Sequence, residues 1–150
     1  MKSLGSGEVL SETRDRLMLL RTEDKALWGK MTATQMVQHL NCAYDVALGD
    51  RDVAPLKATI PPPVMKWIAL RSGLRWPKNV PTTPELIRAV EEEGSATFAD
   101  SVRETAEKME LVAKGTRWTR HHPMFGAMSA KDWMRWGYLH ADHHLRQFGR

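Results

Sequence analysis

Hydrophobic side chains recur every three or four residues in four stretches of the chain, which is the period of an amphipathic α-helix. A first helix is predicted over residues 8–21, with apolar positions that include Leu10, Leu17 and Leu20. A third long helix is predicted over residues 95–114, ended by Gly115. Its apolar side comprises Phe98, Val102, Thr105, Met109 and Val112.

The second and fourth of these stretches have well-marked starts. Thr32 with Gln35, and Ser129 with Asp132, have the spacing of a capping box, in which the first and fourth residues satisfy each other's backbone N–H groups. The second helix therefore begins after Thr32 and is expected to end at Gly49. Its buried positions are predicted to be Met36, Leu40, Ala43 and Ala47.

Residues 50–94 are the least regular part of the chain, because prolines interrupt any long element there. A short apolar helix is predicted over residues 64–71, and a capped turn over residues 83–86. A connection of this length is a crossover rather than a tight turn between neighbouring helices. No useful length of the chain alternates β-branched and polar residues, so the predicted fold class is all-α.

Composition narrows the class of protein further. A chain of 150 residues is expected to form a single domain over residues 1–150. Its net charge of +4 is spread among acidic residues without a dense basic block, which argues against nucleic acid. Cys42 is the only cysteine, and the chain shows neither a signal peptide nor a membrane-spanning apolar run. We therefore expect a cytoplasmic protein.

Histidines carry the chemistry of the sequence. His140 and His144 lie four residues apart and therefore on one side of a helix. His39 lies on the edge of the apolar side of the second helix and could supply a third imidazole. Three neutral imidazoles with an open position are typical of a catalytic metal site. Buried imidazoles without a ligand or hydrogen bond would cost free energy, which favours a metal over a plain core.

Other residues leave alternatives open. The spacing also permits a pairing of His140 with His143, although His143 is better placed to orient a ligand or a water. Cys42 follows His39 by three residues and could face the site, but a lone helical cysteine is more often a small buried hydrophobe. His121 and His122 fall in a loop and are expected at the surface or at the rim of the site.

The segments around these histidines resemble a known family. Residues 28–39 and the run His140-Ala141-Asp142-His143-His144-Leu145-Arg146-Gln147 are similar to the DinB/YfiT-like superfamily of metalloenzymes. Residues 76–82 and 122–126 resemble a bacterial subfamily of that group. The resemblance implies a four-helix bundle with a long crossover between the second and third helices, in agreement with the pattern above. It further implies a metal triad of His39, His140 and His144 that holds zinc, nickel or iron.

The resemblance also implies a class of activity, because some members are transferases or isomerases that use a low-molecular-weight thiol. The first hypothesis is accordingly a metal-dependent enzyme, such as a thiol transferase or a hydrolase, acting on a small molecule. Candidates for binding a substrate carboxylate are Arg71, Arg75, Lys78 and Arg146. The second hypothesis is a non-catalytic metal- or ligand-binding bundle with a structural or stress-related role. Homodimerisation is an expectation in either case.

Overall fold

Five helices and one small hairpin make up the part of the chain described by the computed structural model, which covers residues 1–57, 59–78, 87 and 96–150. The helices are α1 (Gly7–Met18), α2 (Ala33–Leu48), α3 (Pro62–Arg71), α4 (Phe98–Lys114) and α5 (Ala130–Gln147). Strands β1 (His121–His122) and β2 (Gly126–Ala127) form an antiparallel hairpin between α4 and α5. None of the helices described here combines the length and hydrophobicity needed to cross a bilayer.

Both predicted capping boxes are present. The Thr32 side chain accepts a hydrogen bond from the Gln35 backbone N–H, and the Gln35 side-chain oxygen accepts one from the Thr32 backbone N–H. Ser129 and Asp132 form the same reciprocal pair at the start of α5. Gly49 ends α2 in the left-handed conformation, at φ 82°, which only glycine adopts without steric cost. These local signals fix the helices that carry the three histidines.

Other predicted boundaries differ from the structure. Helix α1 ends at Met18, although Leu20 remains buried in the segment that follows. Helix α3 begins at Pro62, because proline fits the first turn of a helix, where its missing N–H has no partner to lose. Helix α4 begins at Phe98 rather than at residue 95, because the Thr97 hydroxyl caps it by accepting from the Asp100 N–H. The turn predicted over residues 83–86 lies outside the described residues.

The hydrophobic core lies between α2, α4 and α5. Helix α2 packs along α4, and α5 packs against each of the other four helices. The largest fully buried side chains on these three helices include Met36, Leu40, Met109, Trp133 and Leu145. Polar contacts join α2 to α4 within the core, where the buried Asn41 amide of α2 donates to the Ser101 carbonyl and accepts from the Thr105 hydroxyl of α4. This pairing holds α2 in register against α4.

Gly137 sets how closely α5 approaches the N-terminal half of the core. A Cβ at this position would lie 2.8 Å from Leu4 Cδ1 and 3.3 Å from the ring of Tyr44 on α2. The Tyr44 hydroxyl donates a hydrogen bond of 2.8 Å to the Gly137 carbonyl. Because α2 also carries His39 and α5 carries His140, this contact controls the distance between the two histidines.

Gly137→Ala is therefore expected to destabilise the fold by about 1–3 kcal/mol, because the methyl group overpacks a filled contact. The matched control is Gly7→Ala, since nothing lies within 4 Å of a Cβ built on that helical glycine. The control should be neutral or slightly stabilising, because alanine is the better helix former. Urea unfolding of the two variants measures both effects. Equal free energies of unfolding in the two variants would contradict the role assigned to Gly137.

Candidate metal centre

Three histidine side chains converge where α2 meets α5. His140 Nε2 lies 3.0 Å from His39 Nε2 and 3.2 Å from His144 Nε2. One ring nitrogen from each of the three residues falls within 4.8 Å of the others. The three side chains are between 5% and 8% exposed, so all of them lie in the core. The structure thus brings together the three histidines that the sequence singles out.

Burial keeps these imidazoles neutral. Desolvation, reinforced by the nearby His143, lowers the pKa of His39 to about 4. Desolvation and the neighbouring imidazoles also lower the pKa values of His140 and His144 well below the usual range. A neutral imidazole carries a lone pair on one ring nitrogen and is the form that ligates a metal. Three buried histidines in this state could hold a metal ion.

Gln147 fixes the tautomer of His144. The Gln147 amide nitrogen donates to the Trp28 carbonyl at 2.8 Å, which leaves its oxygen facing His144 Nδ1 at 3.0 Å. Because that oxygen can only accept, Nδ1 must carry the proton. The lone pair of His144 is then on Nε2, the atom that faces the other two rings. A partner on the remote ring nitrogen is a common feature of metal-ligating histidines. In the sequence, Gln147 stands only as the last residue of the run that resembles the known family, with no role assigned to it.

His140 lacks such a partner. Its Nδ1 is buried and has no hydrogen-bond partner within the described chain. A single imidazole at Nε2 cannot donate to both neighbours, so hydrogen bonding alone leaves the cluster incompletely satisfied. The cost of leaving a buried polar atom unpaired is on the order of 1–3 kcal/mol. A cation that accepts the three Nε2 lone pairs would satisfy those atoms, while the Nδ1–H of His140 would remain without a partner among the described residues.

Tryptophan rings form the walls of the cluster. The Trp136 ring lies 4.8 Å from the His140 ring between centroids, and the Trp76 ring lies 5.9 Å from it. Trp76 is anchored by its indole N–H, which donates to the Ala69 carbonyl of α3 at 2.9 Å. Trp28 and Trp76 also lie against His143, each at 6.2 Å. The walls therefore come from α5 and from the two irregular segments beside α3 and before α2.

The alternative ligands lie elsewhere. His143 is buried but stands outside the group of converging nitrogens, and its ring packs edge-on against His144 at 5.1 Å. Cys42 is also buried, and its sulfur is not part of that group. Among the residues that the structure describes, no fourth protein ligand joins the triad.

The two loop histidines differ in their exposure to solvent. His121 is exposed, as expected. His122 instead stacks on Phe125 at 4.2 Å and packs against Trp133 and Trp136. Its Nδ1 accepts from the backbone N–H groups of Met124 and Phe125, and burial lowers its pKa to about 3. His122 thus holds the hairpin turn against the start of α5.

The four residues that the sequence offers for binding a carboxylate differ in whether their charges are already paired. Arg71 pairs with Asp132 at 3.0 Å, and Arg146 pairs with Asp142 at 2.8 Å. Lys78 lies over the Trp28 ring at 4.6 Å from its centroid. Arg75 is exposed and lines a groove beside α5. Arg135 also lines that groove, although the sequence pattern gave no reason to select it.

The chain can be compared with curated proteins, with solved structures and with protein families. Neither the curated proteins nor the solved structures give a match. A family model described as a protein of unknown function, DUF1569, matches residues 6–150, which include all five helices and all three histidines. The chain therefore belongs to the DUF1569 family.

Proposed function

We propose that His39, His140 and His144 hold a divalent metal ion through their Nε2 atoms and that the protein is a metal-dependent enzyme. The observation that carries this proposal is the tautomer of His144. Its Nδ1 proton is committed to Gln147, so its lone pair faces the Nε2 atoms of His39 and His140. Three imidazoles, to which the described residues add no fourth protein ligand, resemble catalytic rather than structural zinc sites.

The donor set fits several metals, with zinc or nickel favoured and iron also compatible. When bound, such an ion would lower the pKa of a water or thiol, or polarise a carbonyl. The protein itself shields the site from solvent, because the tryptophan rings around His140 exclude bulk water. The substrate class we favour is a small molecule, with a low-molecular-weight thiol as the co-substrate of a transferase. A hydrolase that uses a metal-activated water is the second form of the same proposal.

We further propose that the family lies within the DinB/YfiT-like superfamily and that α1, α2, α4 and α5 form a four-helix bundle. Support comes from the placement of one histidine on the second helix and of the His-x3-His pair on the last. The position of α3 in a long connection between α2 and α4 is also consistent with a crossover. Homodimerisation and a cytoplasmic location stay predictions from the sequence.

The metal itself is the first test. Protein purified without a histidine tag, and loaded with zinc or nickel after chelation, should contain about one equivalent of metal by elemental analysis. His140→Ala should lose most of it, because the central imidazole of the cluster is removed. The matched control is His121→Ala, which removes an exposed imidazole from the hairpin and should retain the metal. Equal stoichiometry in both variants, or no metal in any form, would rule out the assigned ligands.

The Gln147 contact gives a finer test. Gln147→Leu should weaken metal binding by roughly 10–100-fold, the usual cost of removing the hydrogen-bond partner of a ligating histidine. Gln147→Glu keeps an oxygen that can accept from His144 Nδ1, so it should recover most of the lost affinity. Competition with a chelator of known affinity measures the dissociation constants. If the two substitutions weaken binding equally, Gln147 stabilises the helix end rather than the tautomer.

A non-catalytic metal site is the alternative, and the burial of the triad is the observation that favours it. A spectroscopic experiment separates the two readings. Cobalt-loaded protein should show a change in its visible absorption when a small thiol is added, together with a thiolate-to-cobalt band, because an enzyme must admit a fourth ligand. A spectrum that stays constant with thiol, azide and cyanide alike would indicate a closed structural site.

A further inference from the structure

A groove on the flank of α5 is lined by arginines, two of which have no ion-pair partner among the described residues. The groove has a volume of about 370 Å³, within the range of small-molecule sites. It lies between the end of α3 and the outer side of α5, and Trp76, Leu74 and Leu139 supply its apolar walls. Residues 135, 138, 142 and 146 line it together, because spacings of three and four place them on one side of the helix.

Arg135 is the central charge of the groove. Its Nε donates to the Leu70 carbonyl at 3.1 Å, and a terminal nitrogen donates to the Lys2 carbonyl. Both acceptors are neutral, and no carboxylate pairs with Arg135 in the part of the chain that the structure describes. The guanidinium is therefore positioned by its hydrogen bonds without a direct ion pair, and Asp142 acts on its charge only at longer range.

The neighbouring groups add to the positive charge of the groove rather than offsetting it. Asp142, a carboxylate in the groove lining, accepts from Arg16 at 2.9 Å as well as from Arg146, so two guanidinium groups already share its charge. Arg75 is exposed at the rim and has no ion-pair partner within the described ranges. Tyr138 lines the same groove, and its hydroxyl makes no hydrogen bond to any described residue.

We infer that this groove binds a small organic anion, whose carboxylate or phosphate is held by Arg75, Arg135 and the Tyr138 hydroxyl. A guanidinium fork matches two oxygens of either group, which gives bidentate recognition. The apolar walls favour an anion with a hydrocarbon or aromatic part over inorganic phosphate. As a binding site the groove is independent of the metal, whereas its identification as the substrate site rests on the proposed function.

Trp76 connects the groove to the histidine cluster. Its ring lines the groove, and it also lies 5.9 Å from the His140 ring and 6.2 Å from the His143 ring. A ligand in the groove would therefore contact a side chain that packs directly against the triad. The indole N–H of Trp76 is a local reporter of occupancy, since it makes a defined hydrogen bond to Ala69.

The test is a titration of ¹⁵N-labelled, metal-free full-length protein at constant ionic strength, with the Trp76 indole signal assigned by Trp76→Phe. The probes are hexanoate, acetate and inorganic phosphate. The expected result is a saturable shift of this signal, with hexanoate binding more tightly than the other two. Arg75→Gln should weaken hexanoate binding by about tenfold, because one charge-assisted hydrogen-bonding group is lost. Tyr138→Phe should weaken it by a smaller factor.

Arg103→Gln is the matched control, because Arg103 is an exposed guanidinium on α4 outside the groove, and this variant should bind hexanoate like the unmodified protein. A shift that does not saturate, or equal affinities in Arg75→Gln and Arg103→Gln, would overturn the site. Tighter binding of phosphate than of hexanoate would overturn its assignment to organic anions. Since the titration is made without metal, its failure leaves the metal stoichiometry untouched, and loss of metal in His140→Ala leaves the titration untouched.

Discussion

The burial of three imidazoles at the contact between α2 and α5 is the constraint on which the rest of the structure depends. Each ring brings a polar nitrogen into the core, and burying that nitrogen costs free energy unless it is hydrogen-bonded or ligated. The close approach of the helices at Gly137, with the Tyr44 hydrogen bond to its carbonyl, places His39 Nε2 within 3.0 Å of His140 Nε2. A bulkier residue at 137 would move the helices apart and separate the nitrogens. The backbone contact and the chemical site are therefore one feature.

The segments that wrap this contact are ordered by the same residues. The Gln147 backbone carbonyl accepts from the Leu27 N–H at 2.7 Å, while its side chain bonds to Trp28 and His144. One residue at the end of α5 thus attaches the connection before α2 to the histidine cluster. Trp76 has the corresponding function on the other side, since Ala69 of α3 fixes its indole against His140. The described segments before α2 and after α3 are thus attached to the site by specific contacts.

The sequence predicted the helices better than it predicted the surroundings of the site. Capping boxes at Thr32 and Ser129 are local signals, so the starts of α2 and α5 follow from a few neighbouring residues. The convergence of His39 with His140 and His144 was anticipated from the histidines on two helix faces and from the family resemblance, which implied the same triad. The hairpin at 121–127 and the packing of His122 depend on contacts with Trp133 and Trp136, for which a two-residue strand carries no periodic signal.

The role of Gln147 was within reach, since it follows His144 by three residues, the spacing at which helical side chains touch. The charge of Arg135 was not, because its lack of a carboxylate partner appears only in the folded chain.

Charge balance links the two sides of α5. A divalent ion on three neutral imidazoles keeps its full charge, because no carboxylate takes part in the ligand set that the described residues provide. On the opposite side of the same helix, Arg135 and Arg146 add further positive charge, only part of which Asp142 offsets. Like charges in a medium of reduced dielectric constant repel one another, so a metal at the triad and the proposed groove would both favour anionic partners over neutral ones. A thiolate or hydroxide at the metal and an organic anion in the groove would reduce this repulsion together. Trp76 lines the groove and packs against His140, so the proposed ligand and the proposed metal would share this one side chain as a neighbour.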